Sequence, residues 1–251
     1  MSSSTVVQQP FRVLAFDTST EGLALALQAP GGPWHVRAPG GAHASATLLP
    51  QVHQMLAAAG CALADLDFIA FGRGPGAFTG LRTACAVAQG LGFGLGRPLL
   101  AIDSLLIVAE DARLQAEVGA APWTVGVAMD ARMEEAYAAV YHWQGGAWST
   151  LEAPALYTLP ALAHAWAAVP LQAVAGSAWA AFGNRLPVPA GAQPWWQEQD
   201  RAAAMLRLAV AAASAGDGMP AADALPLYLR DKVALTTLER DAVRTAAALA
   251  S

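Results

Sequence analysis

Two aspartates end apolar stretches of the chain and carry side chains that could act as a general base. Phe11–Asp17 and Trp123–Asp130 each have the pattern of a strand that ends on a carboxylate, and a returning strand follows each turn. The first turn continues with the polar residues Thr18 and Ser19. A carboxylate held at such a turn can accept a proton from a substrate. If the repeated pattern reflects two lobes that face each other, the two aspartates would lie on opposite walls of a cleft.

A glycine-rich loop, Phe71–Arg82, is the second stretch that could bind a ligand or a partner. It follows an apolar strand and leads into a helix predicted over Leu81–Leu95, so its backbone N–H groups could meet an anion or another chain. Its spacing fits neither a P-loop nor a dinucleotide fingerprint, because Ala77 and Thr79 stand where the fingerprint needs glycine. The alternative is a tight turn that only packs helix on strand. The candidate residues of the loop are Arg73, Gly74, Pro75, Gly76, Phe78, Thr79, Gly80 and Arg82.

Small residues in the following helix predict very close packing. Gly90, Gly92 and Gly94 stand at alternate positions, and each glycine costs a helix ~1 kcal/mol relative to alanine. The close contact could be with the helix of a partner or with the core of the protein itself, and the residues leave both interpretations open. The candidate interface residues outside the loop are Ala84, Ala88, Gly92 and, at the start of a helix predicted over 43–59, His43.

The histidines and cysteines do not have the spacing of a metal site. His43 and His53 lie ten residues apart, whereas two ligands on one helix need a spacing of about three or four. Cys61 and Cys85 form no Cys-x-x-Cys pair, which argues against a zinc site and a disulfide framework. We therefore expect no metal.

The composition is that of a folded protein without an electrostatic affinity for nucleic acid. The chain has 251 residues, of which 55% are hydrophobic and 13% charged, and its formal net charge is -5. This balance excludes a disordered protein and a strongly basic nucleic-acid binder. We see no secretory signal and no apolar stretch long enough to span a membrane, and we expect a cytoplasmic protein.

Several stretches together resemble the TsaB family, whose members are subunits of the bacterial machinery that makes threonylcarbamoyladenosine next to the anticodon of certain tRNAs. The run Gly-Arg-Gly-Pro-Gly-Ala-Phe-Thr-Gly is the most specific of them, although Ala77 stands where the family often has serine. The matching stretches follow the expected order along nearly the whole chain, at 14–21, 72–82, 88–91, 129–133, 176–179 and 227–230.

The resemblance implies a two-lobed α/β fold of the actin, Hsp70 and sugar-kinase (ASKHA) type. In this fold a mixed five-stranded sheet with helices is duplicated, which agrees with the repeated strand pattern. We place the N-terminal lobe at 11–119, joined by part of 224–251, and the C-terminal lobe at 120–223. Within the second lobe the sequence predicts a proline-rich linker at 187–194 and a helix at 201–215.

The resemblance also implies a scaffold and not a catalyst. TsaB proteins pair with TsaD, the transferase, through helices of the N-terminal lobes, and the ATPase TsaE joins the pair. They self-associate when alone and meet tRNA only through the complex. By register, Ser104 and Val108 stand where TsaD-like proteins carry two metal-binding histidines. On this basis we expect Gly92→Leu to block pairing with TsaD and to leave the fold largely intact.

The phosphate-binding hairpins of kinases with this fold are altered here. Such kinases use an Asp-x-Gly hairpin in each lobe, but Asp17-Thr18-Ser19 has no glycine before Gly22, and Asp130-Ala131-Arg132 has none. We therefore expect no cofactor, with ATP binding weak at most. A small-molecule kinase that uses Asp17 or Asp130 as base, and a metal-dependent hydrolase, remain the alternatives.

Overall fold

The computed structural model describes residues 11–41 and 44–230. His43 and the part of 224–251 that follows Arg230 lie outside the described residues. The strands are β1 (Val13–Asp17), β2 (Gly22–Ala29), β3 (Gly32–Pro39), β4 (Phe68–Gly74), β5 (Leu99–Asp103), β6 (Trp123–Asp130), β7 (Glu135–Gln144), β8 (Ala147–Thr158), β9 (Ala173–Ala175) and β10 (Gln193–Trp195). The helices are α1 (Ala44–Ala58), α2 (Phe78–Leu95), α3 (Ser104–Gln115), α4 (Leu159–Trp166), α5 (Ala178–Phe182) and α6 (Arg201–Ala215), with short 3₁₀ turns at Leu63–Asp65, Gly183–Arg185 and Ala221–Asp223.

Two five-stranded sheets repeat one topology, which confirms the predicted duplicated ASKHA-like fold. The first has the order β3-β2-β1-β4-β5 and the second the equivalent order β8-β7-β6-β9-β10. In each sheet the first strand pairs antiparallel with the next along the chain and parallel with the strand that follows a helical crossover. The strand after Asp17 and the strand after Asp130 therefore occupy the same place in their sheets.

Alternation along β1 sends its side chains to two helical layers. Leu14 and Phe16 pack with α1 and α2, whereas Val13 and Ala15 pack with α6 on the other face of the sheet. All four side chains are fully buried. The sheet is covered on both faces, which explains why β1 is apolar throughout and does not alternate with polar residues.

The helix at 201–215 corrects the predicted lobe boundary. The sequence places this helix, α6, in the C-terminal lobe, but its Ala202, Met205 and Ala209 share a buried cluster with the first sheet. The next turn follows it, because Ala221 and Ala224 join the cluster of α1 and α2. The chain thus returns to the N-terminal lobe at about Arg201, and not only after 223.

Two further boundaries differ from the sequence-based predictions. The proline-rich linker at 187–194 runs into β10, where Gln193 pairs parallel with Ala173 and completes the second sheet. Helix α2 begins at Phe78 and not at Leu81, since the end of the glycine-rich loop already forms its first turn.

Across the described ranges, no helix combines the length and apolarity needed to cross a bilayer.

Candidate functional site

A cleft of about 680 Å³ opens between the two sheets, where the turns of both lobes meet. The β1–β2 turn and the loop before α2 line it from the first lobe, the β6–β7 turn lines it from the second, and the segment 227–230 lines it as well. Asp130 lines the cleft as predicted, but Asp17 is fully buried and does not. The expected pair of carboxylates on opposite walls is therefore incomplete.

Asp17 is held in a closed network of hydrogen bonds. Its Oδ1 accepts from the backbone N–H of Ser19 at 2.5 Å. Its Oδ2 accepts from the Ser104 hydroxyl at 2.9 Å and from Nη2 of Arg201 at 3.1 Å. Arg201 is buried too, and its Nη1 donates to Glu198 at 2.7 Å. A buried carboxylate thus faces a buried guanidinium that a second carboxylate also neutralises.

This network keeps Asp17 ionised. Burial by itself would raise the pKa of the carboxyl, but the charge of Arg201 and the hydrogen bonds from Ser19 and Ser104 outweigh that effect and hold the pKa below its ordinary value. A carboxylate with a depressed pKa is a weak base, and its lone pairs already have donors. Asp17 is consequently suited to a structural role.

The glycine-rich loop packs directly against the β1–β2 turn. A Cβ at Gly72 would overlap the Asp17 carboxylate, and one at Gly80 would overlap the carbonyl oxygen of Thr18. The Thr18 hydroxyl donates to the Gly80 carbonyl at 2.7 Å, and Ala77 N–H donates to the Ser19 carbonyl at 2.8 Å. A Cβ at Gly76 would likewise lie 2.5 Å from the Ser19 carbonyl oxygen. These contacts support the interpretation of the loop as a tight packing turn, since three of its glycines make room for the turn that carries Asp17.

The remaining loop residues are divided between the interior and the rim of the cleft. Gly74 N–H donates to the Ser104 hydroxyl at 3.1 Å, and Pro75 and Gly76 line the cleft. On the rim, the Arg82 guanidinium lies 4.1 Å from the centroid of the Phe78 ring, while Thr79 is exposed beside it. The only predicted loop residue not yet placed is Arg73. Burial raises the pKa of Asp103, and the nearby charge of Arg73 opposes that rise only in part.

The turn between β6 and β7 is held by bonds within it and by contacts from outside it, since the Arg132 guanidinium also lies 3.5 Å from Glu21 of the first lobe. Asp130 Oδ1 accepts from Arg132 N–H at 2.7 Å, and its Oδ2 lies 3.2 Å from Nη1 of the same arginine. Arg132, Met133 and Glu134 all have left-handed backbones, with φ of 64°, 55° and 62°. A left-handed conformation costs a non-glycine residue roughly 1–2 kcal/mol, so surrounding contacts must hold this turn.

The small residues proposed as a partner surface are in the core. Ala84 and Ala88 are fully buried in the cluster beneath α1 and α2, and Gly92 is buried with them. A Cβ at Gly92 would lie 2.8 Å from Leu99 Cδ2 and 3.0 Å from Ala221 Cβ. Our expectation that Gly92→Leu would leave the fold intact is therefore wrong, because a leucine would have to displace this packing.

The opposite face of α2 is open and also built from small residues. Gly90 and Gly94 would each accept a Cβ without a neighbour within 4 Å. Ala86 is exposed on the same face, one turn before Gly90, and Phe93 is 65% exposed. We call Ala86, Gly90, Phe93 and Gly94 the exposed α2 face. The sequence shows small residues on both faces of this helix and does not indicate which face is exposed.

Two important groups gave no signal in the sequence analysis. Arg201 is distant from Asp17 along the chain, and nothing in the composition of α6 marks its first residue as a buried ion-pair partner. Tyr141 donates its hydroxyl to Asp103 at 2.7 Å and so joins the two sheets. Burial raises the pKa of Asp103, and the hydrogen bond from Tyr141 opposes that rise only in part.

The positions compared with metal-binding histidines serve the packing of α3. The Ser104 hydroxyl bonds to Asp17 as described, and Val108 lies in the buried cluster of the second sheet. Among the described residues no group of three or more His, Cys, Asp or Glu side chains could hold a metal ion.

Comparisons with known proteins agree on one family. Residues 39–234 match a family model described as "TsaD: tRNA N6-adenosine threonylcarbamoyltransferase". The chain is 40% identical over 131 residues to the tRNA threonylcarbamoyladenosine biosynthesis protein TsaB of Haemophilus influenzae, a match that covers 51% of this chain and 53% of that protein. It is 36% identical over 155 residues to the Escherichia coli protein of the same name, covering 61% of this chain and 64% of the relative. The matches thus span between half and two thirds of the curated relatives' lengths.

A solved structure extends the similarity over the fold. The chain superposes on YeaZ from Pseudomonas aeruginosa with a TM-score of 0.77 at 38% sequence identity. That match covers 87% of this chain and 100% of the other.

Proposed function

The chain belongs to the TsaB (YeaZ-like) family within the wider TsaD family, and on that premise we propose that it is a non-catalytic subunit for the biosynthesis of threonylcarbamoyladenosine in tRNA. In this proposal it binds and activates a TsaD-type transferase. TsaE, the ATPase, joins the pair, and the chain meets tRNA only through the complex. In the absence of TsaD it forms a homodimer through the same surface.

The single observation that carries the non-catalytic role is the state of Asp17. The residue that the sequence offers as a general base is buried and ion-paired to Arg201 at 3.1 Å. Its counterpart in the second lobe, Asp130, is engaged by the Arg132 of its own turn. A kinase of this fold would need a carboxylate free to accept a proton from substrate. The kinase alternative therefore has no support from either residue.

The exposed α2 face is the surface that we assign to the TsaD-type partner. Glycine and alanine there allow two helix backbones to approach closely, and Phe93 offers an apolar anchor. A paralogue with the same lobe can present the equivalent helix, so that pairing would follow a two-fold arrangement. A stable pairing of ordinary size would bury ~1,600 Å² in total, so neighbouring residues such as Leu49 on α1 would take part.

Gly90→Arg tests this assignment. The new side chain projects into open space, and replacing a helical glycine should not weaken the monomer. We expect the variant to lose affinity for the TsaD protein of the same organism at least tenfold, because a charged side chain would keep the two backbones apart. The measurement is co-purification and titration, followed by a tRNA modification assay with and without this chain.

Ala161→Arg is the matched control, since it places the same charge on an exposed small residue of α4 in the other lobe. It should bind like the unmodified chain. Equal binding by Gly90→Arg would remove α2 from the interface, whereas a modification reaction that does not depend on this chain at all would overturn the proposed function.

A further inference from the structure

The segment Ala224–Arg230, here called the latch, runs from one lobe to the other beside the cleft. The latch has no regular secondary structure. Hydrogen bonds, one ring contact and one ion pair nevertheless hold it at its start, its middle and its end. It follows the last 3₁₀ turn of the first lobe and reaches the β6–β7 turn of the second.

The first half of the latch is attached to the N-terminal lobe. The Ala224 carbonyl accepts from Nε2 of Gln89 on α2 at 3.0 Å. Leu227 N–H donates to the Arg73 carbonyl at the end of β4 at 2.7 Å. Tyr228 lies against Phe78, with their ring centroids 5.2 Å apart. The backbone passes so close to the glycine-rich loop that a Cβ at Gly74 would lie 2.9 Å from the Leu227 carbonyl oxygen.

The second half is attached to the C-terminal lobe. Leu229 packs against the buried cluster of the second sheet. Arg230 pairs with Glu135 at 2.7 Å and donates to the carbonyl of Ala131 at 3.0 Å and to that of Arg132 at 3.3 Å. One guanidinium therefore binds a carboxylate and two carbonyls of the left-handed turn that needs outside support.

We propose that the latch fixes the angle between the two lobes, with Arg230 as the residue that holds its far end. Other contacts also join the lobes, from Tyr141 to Asp103 at the end of β5 and from Trp148 to Glu110 on α3. An exposed ion pair between Arg132 and Glu21, at 3.5 Å, joins the two turns across the cleft. The latch adds a connection at the cleft itself, between the glycine-rich loop and the opposing turn. The orientation of the lobes is then set by the chain and requires no ligand in the cleft, so this inference stands or falls independently of the proposed function.

Arg230→Gln in the full chain tests the latch, and Arg185→Gln is the matched control. Arg185 also pairs with the β6–β7 turn, through Glu134, but it belongs to the same lobe as that turn. Both variants remove one arginine–glutamate pair from the turn, and only Arg230→Gln cuts a connection between lobes.

The distance between lobes is measured by single-molecule fluorescence transfer. Dyes are attached through non-natural amino acids at Ala57 on α1 and Leu151 on β8, which are both exposed. The unmodified chain and Arg185→Gln should give one narrow distribution, and Arg230→Gln should give a broader one or a second population. Hydrogen exchange at 131–135 should quicken roughly tenfold or more in Arg230→Gln, since a charged hydrogen bond to the turn is lost.

Glu135→Gln provides a second variant that weakens the same ion pair from the other side, in case Arg230→Gln does not fold. A broadened distribution with this variant supports the latch. The same narrow distribution in the unmodified chain and in the folded latch variants would overturn the inference. Equal broadening by Arg185→Gln would overturn it as well, because the effect would then come from the turn and not from the connection.

Discussion

At the scale of single residues, the pairing of Asp17 with Arg201 explains how a motif with a reactive appearance became structural. Taking two charges out of water is costly, and their attraction repays this only when hydrogen bonds satisfy the remaining groups. Here Ser19, Ser104 and Glu198 supply those bonds. The pair connects the last residue of β1 to the first residue of α6.

Arg201→Gln should destabilise the protein by about 3–5 kcal/mol at pH 7, because it leaves the Asp17 charge buried without its partner. In the unmodified chain the pKa of Asp17 lies below its ordinary value. The stability that ionised Asp17 contributes is therefore present above about pH 4 and is lost at lower pH. In the variant, burial would instead raise that pKa. The stability gap between the two proteins should therefore narrow as the pH falls from 7 to 4, which urea unfolding at several pH values would measure.

Arg207→Gln is the control, because Arg207 lies on the same helix and pairs with Glu110, but its side chain is 59% exposed. Its loss should cost no more than about 1 kcal/mol. If Arg201→Gln were as stable as the unmodified chain at pH 7, the ion pair would not hold Asp17 in the way we describe.

The sequence located both reactive-looking motifs but not the residue that neutralises the first. Strand periodicity and glycine spacing are local signals, and they correctly predicted the turns at Asp17 and Asp130 and the tight loop between β4 and α2. Arg201 is 184 residues away from Asp17. Only the return of the chain to the first lobe brings the two together, and nothing local encodes that return.

At the scale of elements, α2 shows why a helix made of small residues conceals its own orientation. Small or apolar residues occur on both of its faces, so the pattern has no polar stripe to mark the solvent side. The prediction of close packing holds at Gly92 and is wrong at Gly90 and Gly94, where a Cβ would meet open space. The residues predicted for the partner surface, Ala84, Ala88 and Gly92, are buried. The space around each glycine shows which face is buried, because a Cβ would meet neighbouring atoms at Gly92 but none within 4 Å at Gly90 or Gly94.

Substituting alanine for two neighbouring glycines of α2 should change stability in opposite directions. Gly90→Ala should stabilise by up to about 1 kcal/mol, since the methyl group meets open space and the helix gains propensity. Gly92→Ala gains the same helix propensity, but its methyl group would press on Leu99 and Ala221. We expect a net destabilisation of about 1–2 kcal/mol. Urea unfolding measures the free energy of unfolding of the two variants. If both were more stable than the unmodified chain, the core beneath α2 would be able to rearrange around the added methyl group.

At the scale of the whole molecule, the chain forms two equivalent lobes and then returns to complete the first. The repeated sheet order accounts for the repeated strand–aspartate pattern. The closing elements, α6 and the 3₁₀ turn at Ala221–Asp223, pack on the first sheet, and the latch then leads back to the second lobe. Composition could not predict this path, because an alanine-rich helix fits either lobe equally well.

The cleft between the lobes is where a nucleotide would bind in a kinase of this fold, and we propose that ATP binds there weakly at most. In the first turn, the Ser19 N–H donates to the Asp17 carboxylate, and the Ser19 carbonyl accepts from the Ala77 N–H. In the second, Arg132 N–H is taken by Asp130. These turn N–H groups are the kind that grip phosphates in such a site, and each already has a carboxylate partner.

Calorimetric titration of the isolated chain with ATP and magnesium should therefore give a dissociation constant no tighter than about 1 mM, which corresponds to roughly -4 kcal/mol. Asp130→Ala is an informative companion variant, because it removes the carboxylate that accepts from the Arg132 N–H and so frees that group. If the turn N–H groups limit binding, this variant should bind ATP more tightly than the unmodified chain. Micromolar affinity in the unmodified chain would show that the cleft still holds a nucleotide and that the second turn opens to admit it.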